Sequence, residues 1–139
     1  MAGLVLDCSV TASWVLPDEA SSKSRLILAL VTVSGAVVPS NWPLETAQSL
    51  LSAERRGRIV EDDRERALAI LARLPISVDT ETPRLAWRDI VAVAKTHGLT
   101  LNDAAYLELA LRRNLPLATF DRFLEAAARS AGLPPLPSA

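Results

Sequence analysis

The sequence is short of the residues that build disulfide frameworks and most transition-metal sites. It contains one cysteine and one histidine among 139 residues. A single cysteine excludes an internal disulfide framework and a cysteine-rich zinc site, and a single histidine excludes every site built from two or more histidines. A domain of this length can bury enough surface to fold without either kind of cross-link.

An excess of charge of one sign is also absent. The chain has 15 basic and 16 acidic side chains and a formal net charge of -1. This balance excludes nucleic-acid binding through an overall basic field, but it leaves a local basic face open. Hydrophobic residues make up 50% and charged residues 22% of the chain, which excludes a disordered or acidic-tail protein.

Long apolar runs are missing as well. The longest, from Leu26 to Val38, contains three small or polar residues and falls short of the roughly 20 residues that span a membrane. Asp7 interrupts the apolar N-terminus and no basic segment precedes it, so we expect no signal peptide. The sequence therefore predicts a single cytoplasmic domain over residues 1–139, without a membrane segment.

The chain does contain short apolar runs that alternate with amphipathic segments. Strands are predicted at Gly3–Asp7, Gly35–Val38, Ile76–Val78 and Leu117–Thr119, with one more possible within Leu133–Ala139. Helices are predicted between them, the first with Asp18 and Glu19 in its first turn. Continuous apolar strands separated by helices indicate an α/β fold, a three-layer sandwich with a central parallel sheet flanked by helices.

Four acids are expected at the carboxyl edge of that sheet. Asp7 ends the first strand, and Glu45 lies in the first turn of the helix after the second. Asp103 lies in the first turn of the helix that Thr100 can cap, and Asp121 follows the last predicted strand. Each acid alone has an ordinary role, because a carboxylate at a helix N-terminus contributes about 0.3–1 kcal/mol. Together they repel one another, so that some must protonate or a cation such as Mg²⁺ or Mn²⁺ must bind.

The four acids lie within Val5-Leu-Asp7-Cys-Ser9, Trp42-Pro-Leu-Glu45, Leu99-Thr-Leu-Asn-Asp103-Ala-Ala-Tyr106 and Leu117-Ala-Thr-Phe-Asp121. These segments resemble, in order, the four signature blocks of PIN domains, and they are most similar to the VapC-type toxin branch. The resemblance covers nearly the whole chain.

The resemblance implies an activity and a set of partners. The activity is Mg²⁺-dependent endoribonuclease cleavage of RNA, with Mn²⁺ as a substitute, and Asp7, Glu45, Asp103 and Asp121 are then direct or water-mediated metal ligands. One of these carboxylates can also accept a proton from the attacking water. The partners are a small cognate antitoxin that holds the toxin silent and a second copy of the chain in a homodimer.

Several polar side chains are candidates for supporting roles. Ser9 and Thr119 lie two residues from Asp7 and Asp121, where a hydroxyl can bind the carboxylate or the phosphate, or can simply cap a turn. Arg112, Arg113 and Arg122 could contact RNA phosphates. Arg112 and Arg113 come late in a helix, which favours a solvated face. These two alternatives stay open for each residue.

Three further side chains are expected to have roles other than catalysis. Cys8 is expected to be a small buried residue, since the single histidine is too distant in sequence to activate it as a nucleophile. Trp87 falls on the apolar face of its predicted helix and is expected in the core. Trp14 is the tryptophan that best fits a partner surface.

Two other classes of function are kept as alternatives. The first is a phosphoacceptor signalling domain of receiver type, with Asp79 after the third strand as the acceptor. It requires an acidic pair after the first strand and a lysine after the last, and Asp7-Cys8 and Phe120-Asp121-Arg122 match this poorly. The second is a catalytically silent interaction module that has kept the PIN-like fold. Retention of all four acids argues against it.

Overall fold

The computed structural model describes residues 2–137. The strands are β1 (Leu4–Leu6), β2 (Ala36–Val38), β3 (Ile76–Val78) and β4 (Leu117–Ala118). The helices are α1 (Cys8–Val15), α2 (Ser22–Ser34), α3 (Trp42–Arg55), α4 (Glu61–Arg73), α5 (Thr82–Leu85), α6 (Val91–His97), α7 (Leu101–Arg113) and α8 (Arg122–Ser130). A 3₁₀ turn covers Pro17–Glu19, and a π-helical segment, Ala86–Ile90, joins α5 to α6.

The four strands form one parallel sheet in the order β3-β2-β1-β4. Val5 of β1 pairs with Val37 on one side and with Leu117 on the other. Because β1 is flanked on both sides and covered by helices, its residues Leu4–Leu6 are completely buried. The predicted parallel sheet flanked by helices is confirmed.

Helix α7 is the main support of the sheet on the side of the site. Its residues from Ala104 to Ala110 are all buried, because the sequence there is nearly continuous in apolar side chains. Tyr106, Leu107 and Leu109 join β1 and β2 in the largest core cluster. Each fully buried leucine contributes about 1.5–3 kcal/mol, so the position of α7 against the sheet is firmly set.

The helices near the N-terminus differ from the prediction. Residues Cys8–Val15 form α1, which the sequence pattern did not predict. The acidic turn at Asp18 and Glu19 is a separate 3₁₀ turn, and α2 begins only at Ser22. The physical reason is a capping box, in which the hydroxyl groups of Ser21 and Ser24 each accept a hydrogen bond from the other's backbone N–H.

The prediction for Trp87 is wrong, since its side chain is 90% exposed. It lies in the π-helical segment, whose wider turn places Leu85 and Ile90, five residues apart, in the buried positions. Trp14 is half-buried: its indole N–H donates to the backbone oxygen of Ser24 at 2.8 Å and its ring packs against the core. Its place in a partner surface stays a prediction.

The C-terminal strand is not present in the described part of its predicted range. Residues 133–137 have no strand hydrogen bonding, and 138 and 139 lie outside the described residues. Among residues 2–137, no helix has the length and hydropathy that a bilayer crossing requires.

Candidate active site

The sheet order brings the ends of β1 and β4 together. Asp7 directly follows β1, and its backbone N–H donates to the oxygen of Ala118 at 3.0 Å. Thr119 follows β4 and therefore lies beside Asp7 at the carboxyl edge. The edge of an open parallel sheet where strands end is where ligands bind in such folds.

The Asp7 carboxylate is held by two hydroxyl groups. Asp7 is only 4% exposed, and its Oδ2 accepts hydrogen bonds of 2.7 Å from Ser9 Oγ and from Thr119 Oγ1. The same hydroxyl oxygens accept from backbone N–H groups, Ser9 from Phe120 and Thr119 from Asp121, both at 3.0 Å. Both supporting residues thus contact the carboxylate. Among the described residues nothing donates to Asp7 Oδ1, which is left free for another ligand.

Glu45 enters the site from the first turn of α3. Its Oε1 accepts from the phenol of Tyr106 at 2.6 Å and from Asn41 Nδ2 at 3.1 Å. Burial raises the pKa of Glu45, the two hydrogen bonds oppose the shift, and the negative charges of Asp7 and Asp103 reinforce it.

Asp103 enters from the first turn of α7, where Thr100 Oγ1 accepts a hydrogen bond from the Asp103 backbone N–H. Burial raises the pKa of Asp103, the charges of Asp121 and Asp7 raise it further, and a side-chain hydrogen bond with Thr100 opposes the shift. Like charges near a carboxylate disfavour its ionised form in this way.

Asp121 has the most ordinary structural role of the four acids. It is the N-cap of α8, and its Oδ1 accepts from the backbone N–H groups of Phe123 and Leu124 at 2.9 and 3.0 Å. Its charge still reaches Asp103, and nothing in the described chain donates to its Oδ2. The structure therefore brings Asp7, Glu45 and Asp103 to the same edge of the sheet, within electrostatic reach of one another, and the charge of Asp121 acts on Asp103 from the start of α8.

The donor set fits a hard divalent cation, although its members are not drawn together. Among residues 2–137, no three acidic, histidine or cysteine side chains form a ready-made group of metal ligands. The free oxygens on Asp7, Glu45 and Asp103 are nevertheless all carboxylate oxygens, which Mg²⁺ and Mn²⁺ prefer, and Mg²⁺ usually keeps several waters between itself and the protein. A bound cation would offset the negative charges that add to the raised pKa of Glu45 and of Asp103, so the chemistry of the site suits one.

Two residues of the site were missed from the sequence. Asn41 is the N-cap residue of α3, but its side chain makes no cap hydrogen bond and instead donates to Glu45, four residues later. Tyr106, three residues after Asp103, has a completely buried side chain whose hydroxyl binds Glu45. The spacing of Asn41 and Glu45 by one helical turn was a usable signal, whereas no local pattern pairs Tyr106 with a residue 61 positions away.

Cys8 lies beside the acids and is not a nucleophile. Burial, followed by the charges of Asp7, Glu45 and Asp103, raises the pKa of its thiol to about 12. The reactive form of a cysteine is the thiolate, which is then absent at neutral pH. Cys8 was predicted to be a small buried residue, and the structure places it as half-buried.

Arg112 and Arg113 near the end of α7 are exposed, as predicted for a solvated face, and they also make ion pairs. Arg112 makes a two-pronged ion pair with Asp79, at 2.7 and 3.2 Å, and also binds Glu108 at 2.9 Å. Arg113 adds a longer contact of 3.3 Å to the same aspartate. Asp79, which the receiver interpretation needs as a free acceptor, is 3% exposed and lies at the end of the edge strand β3. Its arginine partners and edge position speak against that interpretation.

These features define a class: a three-layer α/β domain with acidic side chains grouped at the carboxyl edge of its parallel sheet. The PIN domain family matches residues 4–130, and the chain belongs to this family. Ribonuclease VapC3 of Pyrobaculum aerophilum is 29% identical over 121 residues, covering 87% of this chain and 91% of that protein. The crystal structure of PAE2754 from the same organism has a TM-score of 0.67 at 19% identity, covers 92% of this chain and 86% of its own, and shows the same fold.

Proposed function

We propose that this PIN domain is a metal-dependent endoribonuclease of the VapC toxin type, with Mg²⁺ or Mn²⁺ held by Asp7, Glu45, Asp103 and Asp121. The observation that carries the proposal is the arrangement of acids at one edge of the sheet, where neighbouring carboxylates add to the burial that raises the pKa of Glu45 and of Asp103. The name of the relative, Ribonuclease VapC3, supports RNA as the substrate.

In this proposal each side chain of the site has its own role in holding the cation. A bound divalent cation supplies an activated water and neutralises charge on the phosphate, which phosphodiester hydrolysis requires. Asp7 is fixed by Ser9 and Thr119 and presents its free oxygen, while Glu45 and Asp103 approach from two different helices. Fixing ligands on three separate elements sets their spacing before substrate arrives.

Exposed apolar side chains surround the acids and support the proposed partners. Leu44 precedes Glu45, Leu101 begins α7, and Phe123 lies in the first turn of α8, and all three are exposed. Exposed apolar groups around a polar centre mark binding surfaces. We propose that a small antitoxin covers this rim, that the chain forms a homodimer, and that it acts in the cytoplasm, where RNA is translated.

The test is RNA cleavage by the purified chain free of any partner. We expect cleavage of a labelled single-stranded RNA in Mg²⁺ or Mn²⁺, and none in EDTA. Asp7→Asn, Glu45→Gln and Asp103→Asn should each reduce the rate at least 100-fold, since each removes a ligand charge. Asp62→Asn is the matched control, because Asp62 is also a first-turn acid but is exposed on α4 and has no ion pair in the described chain.

Two results would reject the proposal. Cleavage that continues in EDTA would show that the activity does not belong to the acids. A well-folded chain that gives no heat with Mg²⁺ or Mn²⁺ and no cleavage would instead favour the silent interaction module. Growth arrest on expression, relieved by a co-expressed antitoxin, separately tests the toxin role.

A further inference from the structure

The Glu45 carboxylate is held asymmetrically. Both of its hydrogen bonds end on the same oxygen, Oε1, with the Tyr106 phenol at 2.6 Å and the Asn41 amide at 3.1 Å. None of the donors in residues 2–137 reaches Oε2. One oxygen of the carboxylate is therefore occupied by donors, and the other keeps its lone pairs.

The stronger donor is a buried phenol that donates to Glu45 and also lies against the thiol of Cys8. Tyr106 is 0% exposed, and it is the largest of the fully buried side chains. Its ring packs in the main core cluster with β1 and α8, so the hydroxyl has no freedom to turn away. Burial and the Glu45 carboxylate raise the pKa of Tyr106 far above its ordinary value, so the phenol remains a protonated donor at neutral pH.

This arrangement restricts how Glu45 can bind a cation. Ca²⁺ accepts both oxygens of one carboxylate, whereas Mg²⁺ takes single oxygens at shorter distances in an octahedral arrangement. A carboxylate whose Oε1 already accepts two hydrogen bonds offers one oxygen only. The position of Glu45 thus suits Mg²⁺ or Mn²⁺ and disfavours Ca²⁺.

We propose that Tyr106, assisted by Asn41, is a positioning residue that makes Glu45 a one-oxygen ligand and so sets the preference of the site for small divalent cations over Ca²⁺. The inference rests on the proposed metal site. It assigns to a core side chain a part in metal selectivity, separate from the acids themselves.

The experiment measures the dissociation constants of Mg²⁺, Mn²⁺ and Ca²⁺ by calorimetry on the full chain. Tyr106→Phe keeps the ring in the core and removes only the hydroxyl. Loss of such a supporting hydrogen bond weakens metal affinity by roughly 10–100-fold. We expect a loss of about tenfold or more for Mg²⁺ and Mn²⁺, with unchanged or tighter Ca²⁺ binding, because Oε1 is freed for two-oxygen coordination.

Two further variants separate selectivity from stability. Asn41→Ala removes the second, longer donor to the same oxygen, so it should move the metal preference in the same direction by a smaller factor. Ser13→Ala is the control, since Ser13 is a buried hydroxyl that bonds only to Val10 O on α1. It should leave all three constants unchanged. Thermal unfolding of each variant shows whether it has folded.

Tyr106 also provides a direct spectroscopic readout, because it is the only tyrosine of the chain. Protein labelled with 3-fluorotyrosine has one ¹⁹F resonance, which should shift on Mg²⁺ addition with the midpoint found by calorimetry. A resonance that does not move while Mg²⁺ binds would overturn the inference.

The outcomes distinguish this inference from the proposed function. If the unmodified chain binds no Mg²⁺ or Mn²⁺, the metal site itself is refuted. If it binds them and Tyr106→Phe weakens all three cations equally, or none, the site stands and the selectivity role of Tyr106 is refuted.

Discussion

The buried ion pair between Asp79 and Arg112 gives the sharpest prediction about stability. Asp79 follows β3 and Arg112 lies near the end of α7, so the pair ties the sheet to the helix that carries Asp103. Replacing Asp79 by asparagine keeps the shape of the side chain and removes its charge. We expect Asp79→Asn to lower the free energy of unfolding by about 2–3 kcal/mol.

The magnitude follows from the surroundings of the two groups. Removing one partner of a fully buried ion pair costs about 3–5 kcal/mol, because the other charge is left buried and unpaired. The Asp79 side chain is 2% exposed, but that of Arg112 is 29% exposed and keeps its hydrogen bonds to Glu108. The arginine is therefore partly compensated after the substitution, which places the expected loss below that range.

The assay is thermal and urea unfolding at pH 7. A loss of this size corresponds to a decrease in Tm of roughly 6–12 °C for a domain of this length. Glu81→Gln is the matched control, because Glu81 and Arg84 form an exposed pair that should contribute less than about 1 kcal/mol. If Asp79→Asn is no less stable than Glu81→Gln, the argument from burial is wrong.

The dependence on pH provides a second check. Burial opposes ionisation of Asp79, but Arg112 and then Arg113 outweigh it and hold the pKa of Asp79 below its usual value. A carboxylate with a lowered folded pKa contributes stability that is present above its unfolded pKa of about 3.9 and is lost as the pH falls through the folded value. The difference between the native chain and Asp79→Asn should shrink below about pH 4.

Three further predictions concern other parts of the molecule. Asp103→Asn should raise stability at pH 7 in EDTA by up to about 1 kcal/mol while abolishing cleavage, and a loss of stability would contradict the repulsion among the site acids. Asp62→Asn should leave cleavage unchanged and lower stability by less than about 1 kcal/mol, because it removes only a first-turn charge of α4. Thr119→Val should lower stability by about 1–2 kcal/mol, measured by urea unfolding, since it removes a buried hydroxyl that holds a carboxylate. Trp87→Ala should change Tm by less than about 2 °C, because the side chain is exposed. Trp42→Phe should lower Tm by more, because it deletes a hydrogen-bonded indole N–H in the core, and equal shifts for the two variants would contradict the assigned burial.

Much of the fold follows from local patterns in the sequence. The runs at Leu4–Leu6 and Ala36–Val38 are apolar throughout, which only a strand buried on both faces explains within such short lengths. The acids that follow these strands or begin the next helices were then expected at one edge. Their actual proximity depends on strand order, which long-range packing determines and no local pattern encodes.

The elements that were predicted wrongly lie where two local sequence signals predict different structures. The acidic residues Asp18 and Glu19 favour a helix start, but the paired serines at 21 and 24 make a stronger cap and begin α2 later. Around Trp87 a regular helical period predicts burial, yet the π-helical segment shifts the period by one residue. Such shifts reflect the fit of the π-helical segment and α6 against α7, which the segment's own residues do not encode.

The site acids lower the stability of the fold at neutral pH, and contacts made by α7 offset part of this loss. Glu45 and Asp103 have raised pKa values, so any stability that they contribute is present below about pH 4 and is lost as the pH rises through their folded values. The charge of Asp103, on α7, acts unfavourably on that of Glu45, on α3. The Tyr106 hydrogen bond to Glu45 and the ion pair between Asp79 and Arg112 both hold α7 in place against that repulsion. A cation at the proposed site would relieve the repulsion, so we expect Tm to rise with Mg²⁺ concentration in the native chain and to stay constant in Asp103→Asn.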